Sequence, residues 1–349
     1  YRVEGLPVLQ NRMFSSEQEA RSSSVGNVVL AQNATTGVVE NAAFDPGLLE
    51  YDQSYQNEQG ISISFQKHLK QVRDIVIQKI GKGPLIEVGC GKGYFLSMLR
   101  DAGVEVKGID GAYEGDDPDI IKNIFLPGIG IQGEGIVLRH VLEHVPNPIS
   151  FLKSLAEANN GGLIYIEVPC FDWIMQNKAW FDVFYEHVNY IRMEDFNRIF
   201  SSVKDAGHLF GGQYIYVVAD LASLRSENDL PKFSPVNFPP YFDANIENVT
   251  QFLKAKKGKL AVWGGASKGV IFSLYANRSG VSVDYLVDIN PAKQGKYVPV
   301  TGLRVSSPEE MIADPGVLDV VIMNSNYRDE IQNSLGNHYN YLTVDKNEF

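Results

Sequence analysis

The fold is decided by the stretch Pro84-Leu-Ile-Glu-Val-Gly-Cys-Gly-Lys-Gly93. Its first half is a short apolar run typical of a buried strand, and its second half is a turn with three glycines. A helical pattern begins directly after it, at Tyr94. Glycine lets the backbone turn sharply and lets a ligand approach closely, so this order of strand, turn and helix is typical of a nucleotide-binding α/β fold.

Strands and helices alternate outward from this turn. The predicted strands are 104–109, 135–138, 162–168 and 214–219, and the predicted helices are 61–80, 94–102 and 148–158. Because helices of this length separate the strands, the pattern predicts a doubly wound parallel sheet.

A proline-rich break follows near 225–245, and a second αβ unit begins after it, with a strand at Lys259–Trp263 and a glycine turn at Gly264–Gly269. This unit predicts a second, smaller Rossmann-like α/β domain. The chain is therefore divided into an irregular N-terminal appendage at 1–60, the doubly wound domain at 61–224, a linker at 225–250 and the second domain at 251–349.

The composition limits the possible partners. The 349 residues carry a net charge of −11, which excludes a global attraction for nucleic acid or an anionic membrane surface. The two cysteines, Cys90 and Cys170, are too few for a disulfide framework or a cysteine-ligated zinc site. We therefore expect a cytoplasmic protein with a small-molecule substrate and no nucleic acid or membrane partner, as a monomer or a homodimer.

Two carboxylates beside the first glycine turn indicate its ligand. Glu87 lies two residues before Gly89, where it would repel a pyrophosphate and attract a cationic amino acid. Asp110 follows the next strand, where a carboxylate accepts hydrogen bonds from ribose hydroxyls. Tyr94 stands where a dinucleotide pattern requires its third glycine. The turn therefore favours S-adenosylmethionine over a dinucleotide. The candidate donor-binding residues are Glu87, Gly89, Gly91, Gly93, Asp110 and His140.

The histidines after the predicted strand at 135–138 allow a rival interpretation. His140-x-x-Glu143-His144 matches a zinc signature that requires a continuous helix. A strand runs into His140, and Pro146 and Pro148 disfavour such a helix. We therefore assign no metal, and place both histidines at the carboxyl end of a strand, where open α/β sheets bind ligands.

A later segment places Glu186 beside His187 among aromatic residues. A histidine in an apolar wall is a plausible general base, because a neighbouring carboxylate orients its ring and raises its pKa. A structural aromatic cluster with a hydrogen-bonded histidine explains the segment equally well.

Together these segments resemble the class I S-adenosylmethionine-dependent methyltransferases, and within them the nucleotide-sugar C-methyltransferases. The resemblance covers about residues 50–349. Its segments are the tyrosine loop at Tyr55, Glu186-His187-x-x-Tyr190, Phe210-Gly-Gly212, Gly264-Gly-Ala-Ser-Lys268 and Asp288-x-x-Pro-x-Lys-Gln294.

The resemblance implies a reaction and its residues. His187 would remove a proton from a carbon next to a keto group of a nucleotide-linked sugar, with Glu186 as its partner. Tyr55 or His144 would stabilise the oxyanion, and the methyl donor would leave as S-adenosylhomocysteine. The implied substrate-binding residues are Tyr51 (also the second choice for the loop tyrosine), Tyr190, Lys268 and Asn326. Lys268 would hold a diphosphate.

The chain also departs from that family. Residues 1–50 contain no Cys or His, so the N-terminal zinc module common in the family is absent, metal-free or degenerate in this chain. Phe210 replaces the histidine of an H-G-G segment, and Ser325 precedes Asn326 where a tryptophan is usual. These changes concern the substrate-facing parts. O-methylation of a sugar or glycan hydroxyl and a non-catalytic donor-binding subunit therefore stay as alternatives.

Overall fold

The computed structural model describes residues 1–51, 54–56, 60–238 and 241–349, and for Tyr241 only the backbone. The described strands form sheets of four, seven and five strands. No helix in these ranges combines the length and the apolar composition needed to cross a membrane.

The N-terminal segment folds as a small antiparallel sheet. It consists of β1 (Arg2–Pro7), β2 (Val25–Gln32) and β3 (Val39–Asn41), with the helix α1 (Glu17–Arg21) between β1 and β2. The fourth strand, β9 (Asn189–Tyr190), comes from the segment that follows His187 and pairs with β3. Buried and less buried residues alternate along β2, as expected of a strand with one face on a core. The predicted appendage is thus joined to the segment that carries the candidate base.

The central sheet confirms the predicted doubly wound fold, with the strand order β10-β11-β8-β7-β4-β5-β6. Its strands are β4 (Leu85–Val88), β5 (Val106–Ile109), β6 (Ile120–Ile121), β7 (Gly135–Arg139), β8 (Leu163–Pro169), β10 (Val203–Leu209) and β11 (Tyr214–Asp220). Its helices are α2 (Ile63–Lys79), α3 (Tyr94–Asp101), α4 (Pro148–Asn159), α5 (Phe171–Gln176) and α6 (Met193–Ile199). All strands from β4 to β8 pair in parallel, whereas β11 runs antiparallel to β8 and β10. The strand order reverses beside β4, and the crevice at such a point is where open α/β sheets bind ligands.

The C-terminal sheet is parallel, with the order β14-β13-β12-β15-β16. Its strands are β12 (Lys259–Trp263), β13 (Tyr285–Val287), β14 (Val305–Ser306), β15 (Val317–Ile322) and β16 (Asn340–Thr343). Its helices are α7 (Tyr241–Lys254), α8 (Lys268–Arg278), α9 (Pro308–Ile312) and α10 (Arg328–Leu335). Helix α7 begins inside the range predicted as a linker. It forms there because Phe242, Ile246, Val249 and Leu253 recur at helical spacing and are buried.

The C-terminal sheet is held against the central one by polar contacts. The carboxylate of Glu330, on α10, accepts hydrogen bonds from the hydroxyl of Ser62 and the backbone N–H groups of Ile63 and Ser64 at the start of α2. Negative charge is favourable at this position because the first N–H groups of a helix lack partners within the helix. Residues from the carboxyl ends of strands in both sheets consequently line one cavity.

Candidate active site

The cavity has a volume of about 440 Å³ and is lined by all three parts of the chain. The N-terminal part contributes Asn11, the central sheet contributes Glu87 and the turn after β4, and the C-terminal domain contributes the turn after β12. His187 also lines it, from the loop before β9. A cavity of this size accommodates a small molecule.

Glu87 marks one end of the cavity. It lies on β4 and is only 3% exposed, and its Oε2 atom has no hydrogen-bond partner in the described chain. Burial raises the pKa of this carboxyl to about 8, with Asp110 adding to the shift and Arg139 opposing it. A buried carboxyl oxygen without a hydrogen-bond partner is costly unless a ligand supplies one. Its position therefore fits the cationic amino group of S-adenosylmethionine.

The glycine turn supports the same ligand. Gly89, Gly91 and Gly93 all have positive φ angles, of 73°, 54° and 80°. A Cβ atom at position 89 would lie 2.3 Å from Cγ2 of Val141, whereas one at position 91 would meet nothing within 4 Å. Gly89 is thus required for packing. Gly91 leaves open space next to the cavity, which a ligand can approach closely.

Asp110 stabilises the turn. Its carboxylate accepts hydrogen bonds from the backbone N–H groups of Gly91 and Ala112, both at 2.8 Å. Neither Asp110 nor Gly93 is among the residues that line the cavity. Each carboxylate oxygen can accept a second hydrogen bond, so the predicted contact with ribose hydroxyls stays open to Asp110.

A buried ion network lies beneath the cavity and has Glu167, on β8, at its centre. This carboxylate is fully buried and accepts hydrogen bonds from His68 at 3.1 Å, Arg139 at 3.2 Å and Tyr165 at 2.8 Å. Burial alone would raise the pKa of Glu167, but Arg139 and the neighbouring histidines outweigh it and hold the pKa well below its ordinary value. The centre of the network, Glu167, could not be predicted from the sequence because it belongs to no recognisable motif.

His140 belongs to the network and also lines the cavity. Its ring lies between two carboxylates, with Nδ1 3.3 Å from Glu143 and Nε2 3.0 Å from Glu167. Burial opposes the charged form, yet the two carboxylates raise the pKa of His140 to about 9. His140 is therefore a fixed cation at neutral pH. The sequence placed it correctly at the end of a strand, three residues before Glu143, but gave no sign of Glu167 as a partner.

Glu186 has a different role from the one expected. Its carboxylate accepts hydrogen bonds from the hydroxyls of Tyr51 at 3.0 Å and Tyr55 at 2.9 Å. Its backbone carbonyl accepts one from Nδ1 of His144 at 3.1 Å. The structure shows no hydrogen bond between Glu186 and the His187 ring in the described parts of the chain. Glu186 therefore organises the two tyrosines and His144.

His187 is packed among rings. It is 8% exposed, and its ring centroid lies 4.9 Å from that of His144 and 4.8 Å from that of Phe184. Burial holds the pKa of His187 well below its ordinary value, and the nearby His144, His140 and Lys268 add to this shift. The expectation that Glu186 raises this pKa is thus wrong. A neutral imidazole still has the lone pair that a base requires.

Two tyrosines of the N-terminal loop differ in exposure. Tyr55 lines the cavity, and burial and the charge of Glu186 raise its pKa well above the ordinary value, so its hydroxyl keeps its proton. Tyr51 is 41% exposed and does not line the cavity. The first choice for the loop tyrosine, Tyr55, is therefore the one that lies in the cavity.

Lys268 lines the cavity but its charge is compensated. Its Nζ atom lies 2.7 Å from Oδ2 of Asp182 and 5.1 Å from the ring centroid of Trp173. Lys293 is likewise paired with Asp288, at 3.2 Å. A diphosphate bound here would therefore share both lysines with carboxylates.

Two predicted substrate-binding residues lie outside the cavity lining. Tyr190 exchanges hydrogen bonds with the backbone N–H and C=O of Phe184, and Asn326 donates to the backbone carbonyl of Phe210. Both therefore hold segments together. Asn324 and Gln213, which are hydrogen-bonded to each other, line the cavity instead.

Two family models match the chain. One describes a methyltransferase domain and matches residues 65–203, and the other describes a C-methyltransferase C-terminal domain and matches residues 241–341. No curated protein sequence matches the chain.

Several solved structures resemble part of the chain. They include 1,6-didemethyltoxoflavin-N1-methyltransferase of Burkholderia thailandensis, with 12% identity, a TM-score of 0.34, and coverage of 45% of this chain and 80% of that one. The PH0226 protein of Pyrococcus horikoshii OT3 has 9% identity and a TM-score of 0.38, covering 49% of this chain and 99% of that one. An S-adenosylmethionine-dependent methyltransferase of Mesorhizobium loti has 12% identity and a TM-score of 0.34, covering 43% and 96%. TM-scores below 0.5 establish no common function, so the assignment rests on the two family matches.

The site and the family matches agree. The unpartnered carboxylate of Glu87 and the open space at Gly91 fit a cationic methyl donor, and the match at 65–203 includes both residues. The chain is therefore an S-adenosylmethionine-dependent methyltransferase that combines a methyltransferase domain with the C-terminal domain of the C-methyltransferases.

Proposed function

We propose that this methyltransferase transfers a methyl group to a carbon next to the keto group of a nucleotide-linked sugar, with His187 as general base. One observation carries the proposal: His187, buried and neutral, lines the same cavity as Glu87 and Gly91. A base and a methyl donor can act on the same carbon atom only where one cavity holds both of them beside it.

The chemistry requires a base and a hydrogen-bond donor. A C–H bond next to a carbonyl is acidic because the carbonyl oxygen can hold the charge of an enolate. His187 would take the proton on its free ring nitrogen, while the electron pair moves to that oxygen and returns as the new C–C bond forms. When bound, S-adenosylmethionine supplies the electrophilic methyl group. A donor placed at the oxygen lowers the barrier because it stabilises the charge as it develops.

Tyr55 is the donor that the surroundings favour. Its hydroxyl keeps its proton and lines the cavity, where it donates to Glu186 at 2.9 Å and accepts from Asn11 at 3.3 Å. To act as the donor, it would turn this proton from Glu186 to the substrate oxygen. His144, whose Nδ1 atom donates to the Glu186 carbonyl, is the second choice. Glu186 thus acts as a positioning residue for both.

The C-terminal domain supplies groups suited to a sugar nucleotide. From this domain, Asp288, Asn290, Asn324 and Lys268 line the cavity. Side chains of this kind hydrogen-bond to hydroxyl and phosphate oxygens. A match to the C-terminal domain of C-methyltransferases over residues 241–341 supports carbon as the acceptor atom.

The proposal is tested by the product. The purified chain is incubated with a donor carrying a ¹³C-labelled methyl group and a panel of nucleotide-linked keto-sugars, and the products are examined by NMR. We expect a methyl signal coupled to a ring carbon. An O-methyl signal would assign oxygen as the acceptor, and a panel without any product would exclude this substrate class.

Glu87 should control donor affinity. We expect Glu87→Gln to weaken S-adenosylmethionine binding by about 10- to 100-fold, because a hydrogen bond to a charged group contributes about 1.5–3 kcal/mol and each 1.4 kcal/mol is about a factor of ten. The pKa of Glu87 is about 8 in the free protein, so at pH 7 most of this carboxyl is protonated. Pairing with the ammonium group then ionises it and releases a proton.

Calorimetry in two buffers of different ionisation enthalpy measures both the donor affinity and the number of protons released on binding. The wild type should release part of a proton at pH 7, and its affinity should rise as the pH rises from 6 to 8. Glu105→Gln is the matched control. Glu105 is exposed and lies directly before β5, at the amino end of the parallel strands, opposite the end that carries the glycine turn. Equal affinities for Glu87→Gln and the wild type would remove Glu87 from the donor site.

A further inference from the structure

We propose that Glu143, His144 and His187 form a binding site for a divalent cation of the Zn²⁺ type, and that the bound ion blocks proton removal by His187. The inhibition rests on the proposed function, whereas the binding does not. The site differs from the linear signature His140-x-x-Glu143-His144, because the ring of His140 is held between two carboxylates.

The three residues converge from two segments. Glu143 and His144 lie in the short helical turn Leu142–His144 after β7, and His187 lies before β9. Each offers one ligand atom, and these atoms lie within 4.8 Å of one another. Bonds of about 2.0–2.1 Å in a tetrahedral site require ligand atoms about 3.4 Å apart. Side-chain rotations that close the gap by a little over 1 Å therefore complete the site.

Glu143 is the strongest indication of a missing ligand. It is 2% exposed, and its Oε1 atom faces His140 while its Oε2 atom has no hydrogen-bond partner in the described chain. Leaving a buried carboxylate oxygen without a partner is costly. A cation that binds Oε2 removes this cost.

The two histidines are prepared as ligands. Because a carbonyl oxygen can only accept, Nδ1 of His144 donates to the Glu186 carbonyl and Nε2 carries the lone pair in the neutral ring. Metal-bound histidines are commonly oriented in this way, by a backbone carbonyl at the other nitrogen. His187 has no hydrogen bond to another described residue. Two imidazoles and one carboxylate, with a cavity at the fourth position, are the ligands of many zinc sites.

The surrounding charges permit a cation. Lys268 and His140 are positive and close to His187, but Asp182 pairs with Lys268 at 2.7 Å and the carboxylates of Glu143 and Glu167 enclose His140. The additional carboxylate of Glu186 lies 3.7 Å from Nδ1 of His144, and its Oε1 atom has no partner in the described residues. Negative charge is therefore present beside His144, at the ring nitrogen other than the one that would bind the ion.

The test is a titration of the chelator-treated full chain with Co²⁺, a spectroscopic substitute for Zn²⁺, followed by displacement with Zn²⁺. We expect one saturable site with the visible absorption of a tetrahedral ion. Glu143→Gln and His187→Gln should each weaken it at least tenfold. The matched control is His208→Ala, because His208 is exposed on β10 and should leave the affinity unchanged. Circular dichroism checks that each variant is folded.

Each outcome decides a separate point. No saturable binding, or unchanged affinity in a folded Glu143→Gln variant, overturns the site. If Zn²⁺ binds but methyl transfer continues at the same rate or becomes faster, the inhibition is overturned. A failure to methylate any keto-sugar would overturn the proposed function and leave the Co²⁺ titration as valid as before.

Discussion

Replacing His187 with Asn should lower the rate of methyl transfer by about 10²- to 10⁴-fold, the usual contribution of a general base. Asparagine is a smaller polar residue that fits among Phe184, His144 and Tyr190, the rings that surround His187, but it has no basic nitrogen. Donor affinity should stay within about twofold, since His187 is not among the groups at the glycine turn. Single-turnover rates measure the first effect and calorimetry the second.

Proton removal can be separated from methyl transfer. In D₂O, with S-adenosylhomocysteine in place of the donor, the wild type should exchange the C–H next to the keto group, and His187→Asn should not. His208→Asn is the control for histidine loss on the surface. Exchange that persists at the wild-type rate in His187→Asn would assign the base to another residue.

The second large effect concerns stability. Glu167→Gln should lower the free energy of unfolding by about 3–5 kcal/mol, because removing one partner of a buried ion pair leaves the other charge uncompensated. Here Arg139 and His140 both lose their shared carboxylate. Denaturant unfolding measures the change, and Glu157→Gln, exposed on α4, should stay within about 0.5 kcal/mol of the wild type.

The same substitution predicts a dependence on pH. The pKa of Glu167 is held well below its ordinary value in the folded chain, so its stabilisation is present above the unfolded value of about 4.3 and is lost as the pH falls through the folded value. The difference in stability between the wild type and Glu167→Gln should therefore shrink in acid. A difference that stays constant down to pH 3 would contradict the ionised network.

Much of the fold can be predicted from the sequence because its helices and strands follow from local patterns. The apolar run before Gly89 forms β4, and the next helix begins at Tyr94 as predicted. Helical spacing does not reveal a helix where a stronger linker signal lies beside it. Helix α7 was missed because the prolines at 239 and 240, which lie outside the described residues, indicate a linker more strongly than the helical spacing that follows them.

The donor end of the site was also predictable, because Glu87 and Gly91 are fixed by one strand and one turn. The acceptor end was not. The sequence around Lys268 shows no partner for its charge, because Asp182, with which it pairs, lies 86 residues away in the chain.

The sequence by itself determined the order of strands and helices, the glycine turn and the acidic residue beneath it, since each depends on residues that are close along the chain. Only the tertiary structure decided which charges meet. Glu186 and His187 are adjacent in sequence, yet one faces two tyrosines and the other packs against His144 and Phe184. Covalent neighbours need not share surroundings, because burial and long-range packing assign each side chain its own partners.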